Sequence, residues 1–413
     1  MKIVFISPVT PYKENMGGPS GHPYHLMIQR PSDIEITIYS YNQNNLSKEE
    51  IKEVENELKV KIKLVRLPLW YKLILQLHLT FIRIILKYPI NYYIRLPKSL
   101  VKEIHNSQPD MIWGYCQEFS GILSQFKDFK RIHTTPDCYC LHWYRRLGRP
   151  FTLSHYAEYL RVIINYIKYY RMESQYDSNT NIKYHFVGDA DAEFVRRINP
   201  AINAYFLHHP HYEIRDPKRE IRFHQPKIRL LIAGRYDLYS HEASNDFFSA
   251  LQRLDNTDKD FFKEHYELTI LGKGWSTKID ELKRFGYEIN LIDFAPDYIE
   301  EIIKYDIQIN PLSVGTGTKG KVLDALANGL LVIGTPYAME NIAVENNKSC
   351  VIYRNTTQLM SVLKDIPHQR SRYEAIAIEG RKCVLAAHDR EKISKELFEI
   401  GRASCRERVY VLV

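Results

Sequence analysis

YDIQINPLSVGTGTKGKVLDALANGLLVIGTPYAMENI, residues 305–342, is the most informative stretch of the chain. An apolar segment ends at Pro311, a loop supplies Gly315 and Gly317, and a helical period opens near Thr318 and runs to Asn328. Gly329 stops it, and LLVIGT reads as the next strand. Strand, glycine loop, helix and strand form one step of a helix-covered parallel sheet. Glycines ahead of a helix let the backbone approach a ligand closely. The helix start then offers unpaired N–H groups and a positive dipole end to an anion. Lys319 and Lys321 in the first turn oppose that dipole, which makes sense if a diphosphate neutralises them. Asp324, further along, is placed to accept hydrogen bonds from a ribose diol. The bland alternative is a plain βα turn with solvated lysines.

Working outward, the same alternation recurs twice. KIVFIS (2–7), IEITIYSY (34–41), IKLVRL (62–67), DMIWGY (110–115), KRIHTT (130–135) and YHFVG (184–188) form one set of strands. IRLLIAG (228–234), ELTILG (267–272), INLIDF (289–294), IQINPL (307–312), LLVIGT (330–335) and CVIYR (350–354) form the other. Short strands separated by longer connections predict two α/β domains, each a Rossmann-like parallel sheet. HHPHYEIRDPKREIRFHQPK (208–227), with three prolines, many charges and no sustained apolar period, reads as the linker beside an interdomain cleft. The expected organisation is a domain over 1–210, a linker over 211–227, a second domain over 228–386, a crossover helix over 387–399 and a non-native tail over 400–413.

A length of 413 residues suits two domains, and 26% charged residues with 45% hydrophobic ones exclude disorder. The net charge of +8 is unevenly placed: residues 1–210 hold 27 basic and 19 acidic side chains, and Lys59–Lys102 holds ten cations and no carboxylate. Six scattered cysteines make neither a disulfide framework nor a zinc site. The start, MKIVFISPVTPY, reads as a first strand and not a signal peptide, which predicts a cytoplasmic protein.

The 305–342 segment resembles the donor-binding signature of GT-B glycosyltransferases of the "group 1" type. The likeness extends to MKIVFISP…GG, VGDADAEFVRR, LLIAGR, LTILGKG and the region of CVLAAHD. It implies two Rossmann-like domains facing across a cleft, a last helix crossing back to the first domain, and a nucleotide-sugar donor. The implied donor-binding residues are Gly17, Gly18, Gly234, Arg235, Gly315, Gly317, Thr318, Lys319, Lys321 and Asp324. Two departures stand out. Thr316 occupies the place of the first glutamate of the family's Glu-x7-Glu pair, with Asp324 at the second. His241 lies where a phosphate-binding lysine follows Gly-Arg, which leaves Arg235 as the phosphate partner.

The loop TPYKENMGGPSGHPYHL (10–26) follows the first strand, where ligands sit in an open parallel sheet. It offers His22 and His25 as titratable groups. A nicotinamide-binding reading of GGPSG fails for want of a carboxylate after the second strand, which ends in Tyr39, Ser40, Tyr41 and Asn42. HTTPDCYCLHWYRR (133–146) resembles the place where family members present a His-Asp to the sugar, with Pro136 where the His would be. The resemblance implies Asp137 as a base or hydroxyl-binding acid, a plain turn or N-cap being the alternative, and His142 and Arg145 suit an acceptor. Asp189 of GDAD reads as a helix cap and not a metal ligand. LWYKLILQLHLTFIRIILKYPI (69–90) is too often interrupted by cations to span a bilayer and suits the surface of an anionic one.

The expectation is therefore a retaining, metal-independent glycosyltransferase without cofactor. Asp137, Arg235 and Lys319 would be catalytic, and His22, His142 and Arg145 would bind a lipid-linked or envelope glycan. The protein would rest peripherally on the inner membrane face and would not bind nucleic acid. A nucleotide-sugar epimerase and a catalytically silent scaffold are the alternatives.

Overall fold

The computed structural model describes residues 1–15, 20–148, 156–237 and 240–406. The chain divides into two compact units, one made of Met1–Pro210 with the closing segment from Arg390, the other of His211–Asp389.

In the first unit, β1 (Lys2–Ser7), β2 (Glu35–Ser40), β3 (Lys61–Leu64), β4 (Met111–Tyr115), β5 (Arg131–Thr135), β6 (Ile182–Phe186) and β7 (Ala204–Phe206) form a parallel sheet. Its order is β3-β2-β1-β4-β5-β6-β7 among the described residues. β1 is buried on both faces. Val4 and Ile6 enter a core shared with Phe119 and Phe126, while Ile3 and Phe5 enter another with Trp113 and Tyr24. Such two-sided burial explains the near-continuous apolar run KIVFIS.

In the second unit, β8 (Ile228–Ala233), β9 (Tyr266–Leu271), β10 (Ile289–Ile292), β11 (Ile307–Asn310), β12 (Leu331–Gly334) and β13 (Val351–Ile352) follow the order β10-β9-β8-β11-β12-β13, again all parallel. Side chains alternate as a pleated strand requires: Ile228, Leu230 and Ile232 pack into one core and Leu231 into the other.

In both sheets the first strand lies between strands reached in opposite directions, so a topological switch point falls between β1 and β4 and another between β8 and β11. Ligands of open parallel sheets bind at the carboxyl ends of strands at such points.

The helix Arg390–Arg406 packs within the first unit, through Ile393, Leu397 and Phe398 against the Trp113 core. It continues beyond residue 399: a Cβ on Gly401 would meet Met111 Sδ at 2.9 Å, and Arg402 pairs with Asp33. Residues 407–413 lie outside the described ones. The 69–90 segment is not one helix. Leu69–Gln76 and Thr80–Ile85 are separate helices, broken where His78 takes a φ of +50°. Among the described residues no helix is long and apolar enough to cross a membrane.

Candidate functional site

Three loops converge at the carboxyl ends of β8, β9 and β11. The loop after β11 carries Gly315, Gly317, Thr318 and Lys319 into the helix Gly320–Ala327, whose N-cap is Lys319. The helix thus opens two residues later than its sequence period suggests. Gly317 takes a φ of +62°, a conformation that L side chains rarely adopt. Lys319 folds back over this loop, its Nζ donating to the Thr316 carbonyl at 3.1 Å and to the Gly317 carbonyl at 3.0 Å. Asn341 Nδ2 donates to the same Gly317 oxygen at 2.9 Å.

The loop after β8 carries Gly234 and Arg235. Ser240 Oγ donates to the Arg235 carbonyl at 2.9 Å, and the Ala243 N–H donates to Ser313 Oγ at 3.2 Å. The β11 loop is therefore tied to the first turn of the helix His241–Thr257, into which the β8 loop leads. Arg235 is exposed and, among the described residues, pairs with no carboxylate. The loop after β9 locks against it: a Cβ on Gly272 would stand 2.2 Å from the Gly234 oxygen, and Trp275 Nε1 donates to that oxygen at 2.8 Å.

Lys321 and Asp324 point elsewhere. Lys321 is exposed along its stem, but its ammonium lies 3.9 Å from the ring centroid of Tyr298, where loss of water lowers its pKa against the opposing pull of Asp324. Asp324 is buried. That burial pushes its carboxyl up to about 7, although Lys321 and the Tyr212 N–H favour the ionised form. Asn328 ties the same helix to the chain entering the unit, accepting from the Arg215 N–H at 3.0 Å and donating to the Glu213 carbonyl at 2.9 Å.

In the first unit His22 and Asp137 lie around the carboxyl ends of β1, β4 and β5. His22, on the helix Gly21–Ile28, is fully buried and meets Tyr115 Oη, at the end of β4, at 3.1 Å. Its ring lies 4.7 Å from that of His209 and 5.9 Å from that of His185. Burial first, and these imidazoles second, hold its pKa well below the usual value, so His22 is neutral. Asp137 is half-buried just ahead of the helix Tyr139–Leu147, which carries the buried His142 and the half-buried Arg145. Arg146 is committed to Glu158 at 2.6 Å. Gly17 and Gly18 lie outside the described residues.

Residues 227–366 match the family described as glycosyl transferases group 1. The solved structure of Anabaena HepE in complex with UDP superposes with a TM-score of 0.63 at 13% identity, covering 98% of this chain and 100% of that one. The chain carries the GT-B fold. Sucrose-phosphate synthase from Thermosynechococcus elongatus gives 0.65 at 11%, covering 98% and 99%. A mutant of S. aureus TarM in complex with fondaparinux, alpha-GlcNAc-glycerol and UDP gives 0.61 at 10%, covering 97% and 100%. At such identities these likenesses concern the fold alone. No curated protein matches the chain.

Within this GT-B frame the structure brings Gly234 and Arg235 together with Gly315, Gly317, Thr318 and Lys319, and turns Lys321 toward Tyr298. One reading needs correction. Asp189 is the first residue of the helix Asp189–Ile198, whose N-cap is Gly188, and Asp191 in the same first turn accepts the Cys138 N–H at 2.8 Å. Among the described residues no three His, Cys, Asp or Glu side chains gather as metal ligands. Sequence reasoning missed Ser313, Asn341 and Trp275. Ser313 and Asn341 flank the glycine loop, and the aromatic following LGKG was the available signal for Trp275.

Proposed function

We propose that this chain transfers a sugar from a nucleotide-diphosphate donor, held by the second unit, to a lipid-linked or envelope glycan held by the first. The observation that carries the reading is the glycine loop ending in Lys319, beside the Arg235 loop and tied to the helix His241–Thr257 that follows it, at the switch point of the second sheet. As the bond from the sugar to the diphosphate breaks, negative charge develops on the leaving oxygens. The Arg235 guanidinium, the Lys319 ammonium and the first N–H groups of the helix Gly320–Ala327 are the groups that would meet it. Their charge is of the kind a divalent ion would otherwise supply, so the transfer is proposed to need neither an essential metal nor a cofactor. The complexes of HepE and TarM make uridine diphosphate the first nucleotide to test.

In the first unit Asp137 serves as base or hydroxyl-binding acid, with His142, Arg145 and a neutral His22 as acceptor contacts. Retention of configuration rests on the family resemblance, and with Thr316 in place of an acid no carboxylate is assigned to the donor sugar there.

The acceptor's lipid character rests on the 64–85 surface. Leu69, Leu77, Phe81, Ile84 and Ile85 are between 57% and 78% exposed, beside exposed Lys72, Arg83 and Lys87. Apolar side chains open to water and ringed by cations suit an anionic bilayer surface, and the proposed location is the inner membrane face.

The test is incubation with a panel of nucleotide sugars, with and without membrane extract. Acceptor-dependent sugar transfer supports the reading. Epimerised donor without transfer, or an untouched donor, contradicts it.

A further inference from the structure

A cavity of about 310 Å³ lies in the first unit, away from the carboxyl-end loops. Arg131 and Ile182 line it and are the opening residues of β5 and β6, so it sits at the amino ends of these strands. His22 and Asp137 belong to the other end of the sheet. At roughly 30 Å³ per water the space equals about ten waters, which is room for a mono- or disaccharide.

Its walls are unusual in two respects. Tyr176 and Tyr184 stack at 4.8 Å with 13° between their planes, and Tyr88 faces Tyr92 at 4.4 Å, so four phenol rings border one space. Polar groups among them are left unfinished. The Arg131 side chain is 1% exposed; it donates to Asp177 Oδ2 at 2.9 Å and to the Leu123 carbonyl at 3.4 Å. Its Nε has no hydrogen-bond partner among the described residues, and neither has the buried Ser120 Oγ. Two such atoms on the wall of one cavity are placed to meet the polar groups of a bound molecule.

We infer that this cavity is a second, non-catalytic saccharide-binding site. A pyranose presents apolar C–H faces to the tyrosine rings and hydroxyls that both donate and accept, matching Arg131 Nε, Ser120 Oγ and the phenols. An anion fits less well, because Asp177 already neutralises the buried guanidinium and the remaining lining cation, Lys127, is exposed. The site would hold part of a glycan away from the reacting end. It does not depend on the donor reading.

The experiment is saturation-transfer NMR on the full chain with glucose, galactose, N-acetylglucosamine, maltose and inorganic phosphate, with excess UDP present. A saccharide signal is expected for the wild type and for Lys319→Ala, whose change lies at the donor loop. Ser120→Leu fills the cavity and removes a hydrogen-bonding group, so about a tenfold loss is expected. Tyr88→Ala, which opens a half-buried wall, provides the same test should Ser120→Leu not fold. No signal from any sugar, binding of phosphate alone, or a saccharide signal unchanged in a folded Ser120→Leu or Tyr88→Ala protein would overturn the inference. Absent donor turnover alongside an intact saccharide signal would contradict only the proposed transferase activity.

Discussion

Asn341 donates its side-chain N–H to the carbonyl oxygen of Gly317, 2.9 Å away, and this oxygen also receives the Lys319 ammonium. One carbonyl thus gathers a cation and a neighbouring loop onto the glycine turn. Asn341 has a φ of +68°, so glycine is the replacement that removes the hydrogen bond without adding strain. Asn341→Gly should cost about 1 kcal/mol of stability, seen in urea unfolding. It should also weaken nucleoside-diphosphate binding, measured by calorimetry. Unchanged affinity would separate the loop geometry from binding.

Gly272 and Gly320 should respond in opposite ways to alanine. A Cβ on Gly272 meets the Gly234 oxygen at 2.2 Å with φ at +143°, whereas nothing lies within 4 Å of one on Gly320. Gly272→Ala should lose about 1–3 kcal/mol through strain and displace Arg235. Gly320→Ala should keep its stability to within about 1 kcal/mol. If a phosphate approaches the helix start, it should nevertheless bind donor more weakly. Thermal unfolding and calorimetry on the pair separate the two effects.

Asp324 gives a stability signature with a definite sign. Its carboxyl titrates at about 7 when folded, mainly through burial, against about 3.9 in an unfolded chain. The stability it contributes is fully present below about pH 4 and is lost as pH rises through 7. Glu173, raised by burial to about 8, acts in the same direction and remains in the variant. Subtracting the Asp324→Asn unfolding curve from that of the wild type should therefore isolate a decline between about pH 4 and 7, with the variant the more stable at pH 8. A difference independent of pH would show that burial does not raise the Asp324 carboxyl.

Much of this architecture was legible because parallel strands buried on both faces leave apolar runs that need no partner information. β1, β8 and β11 all stand within the predicted windows. β7 escaped notice because Ala204–Phe206 is three residues long and only half-buried. The glycine loop was equally legible, since Gly315 and Gly317 between strand and helix have few other uses. The side-chain directions of its cations were not. Lys319 and Lys321 lie two residues apart in sequence, but one caps backbone carbonyls while the other meets Tyr298, a residue brought near only by tertiary packing. His22 shows the same limit: its neutrality comes first from burial in the folded unit and then from His209 and His185, more than 150 residues away in sequence.

The 64–85 surface should bind vesicles. Purified protein should sediment with phosphatidylglycerol-containing liposomes and not with phosphatidylcholine alone, and salt should weaken the binding. Replacing Lys72 and Arg83 with glutamine should cost about 1 kcal/mol each, roughly fivefold per site. Leu69→Ser with Ile85→Ser should reduce binding while leaving unfolding unchanged, since both side chains are 78% exposed. Equal sedimentation by all variants would remove the membrane from the account.

The donor site on the second unit is tested most directly by calorimetric titration of UDP, GDP and ADP into the wild type and Lys319→Met. The account predicts that one nucleotide binds the wild type, and that Lys319→Met, still folded though less stable by about 1–3 kcal/mol for its lost carbonyl contacts, binds it at least about tenfold more weakly. Equal affinity in the two folded proteins, or no binding of any of the three to the wild type, would contradict it.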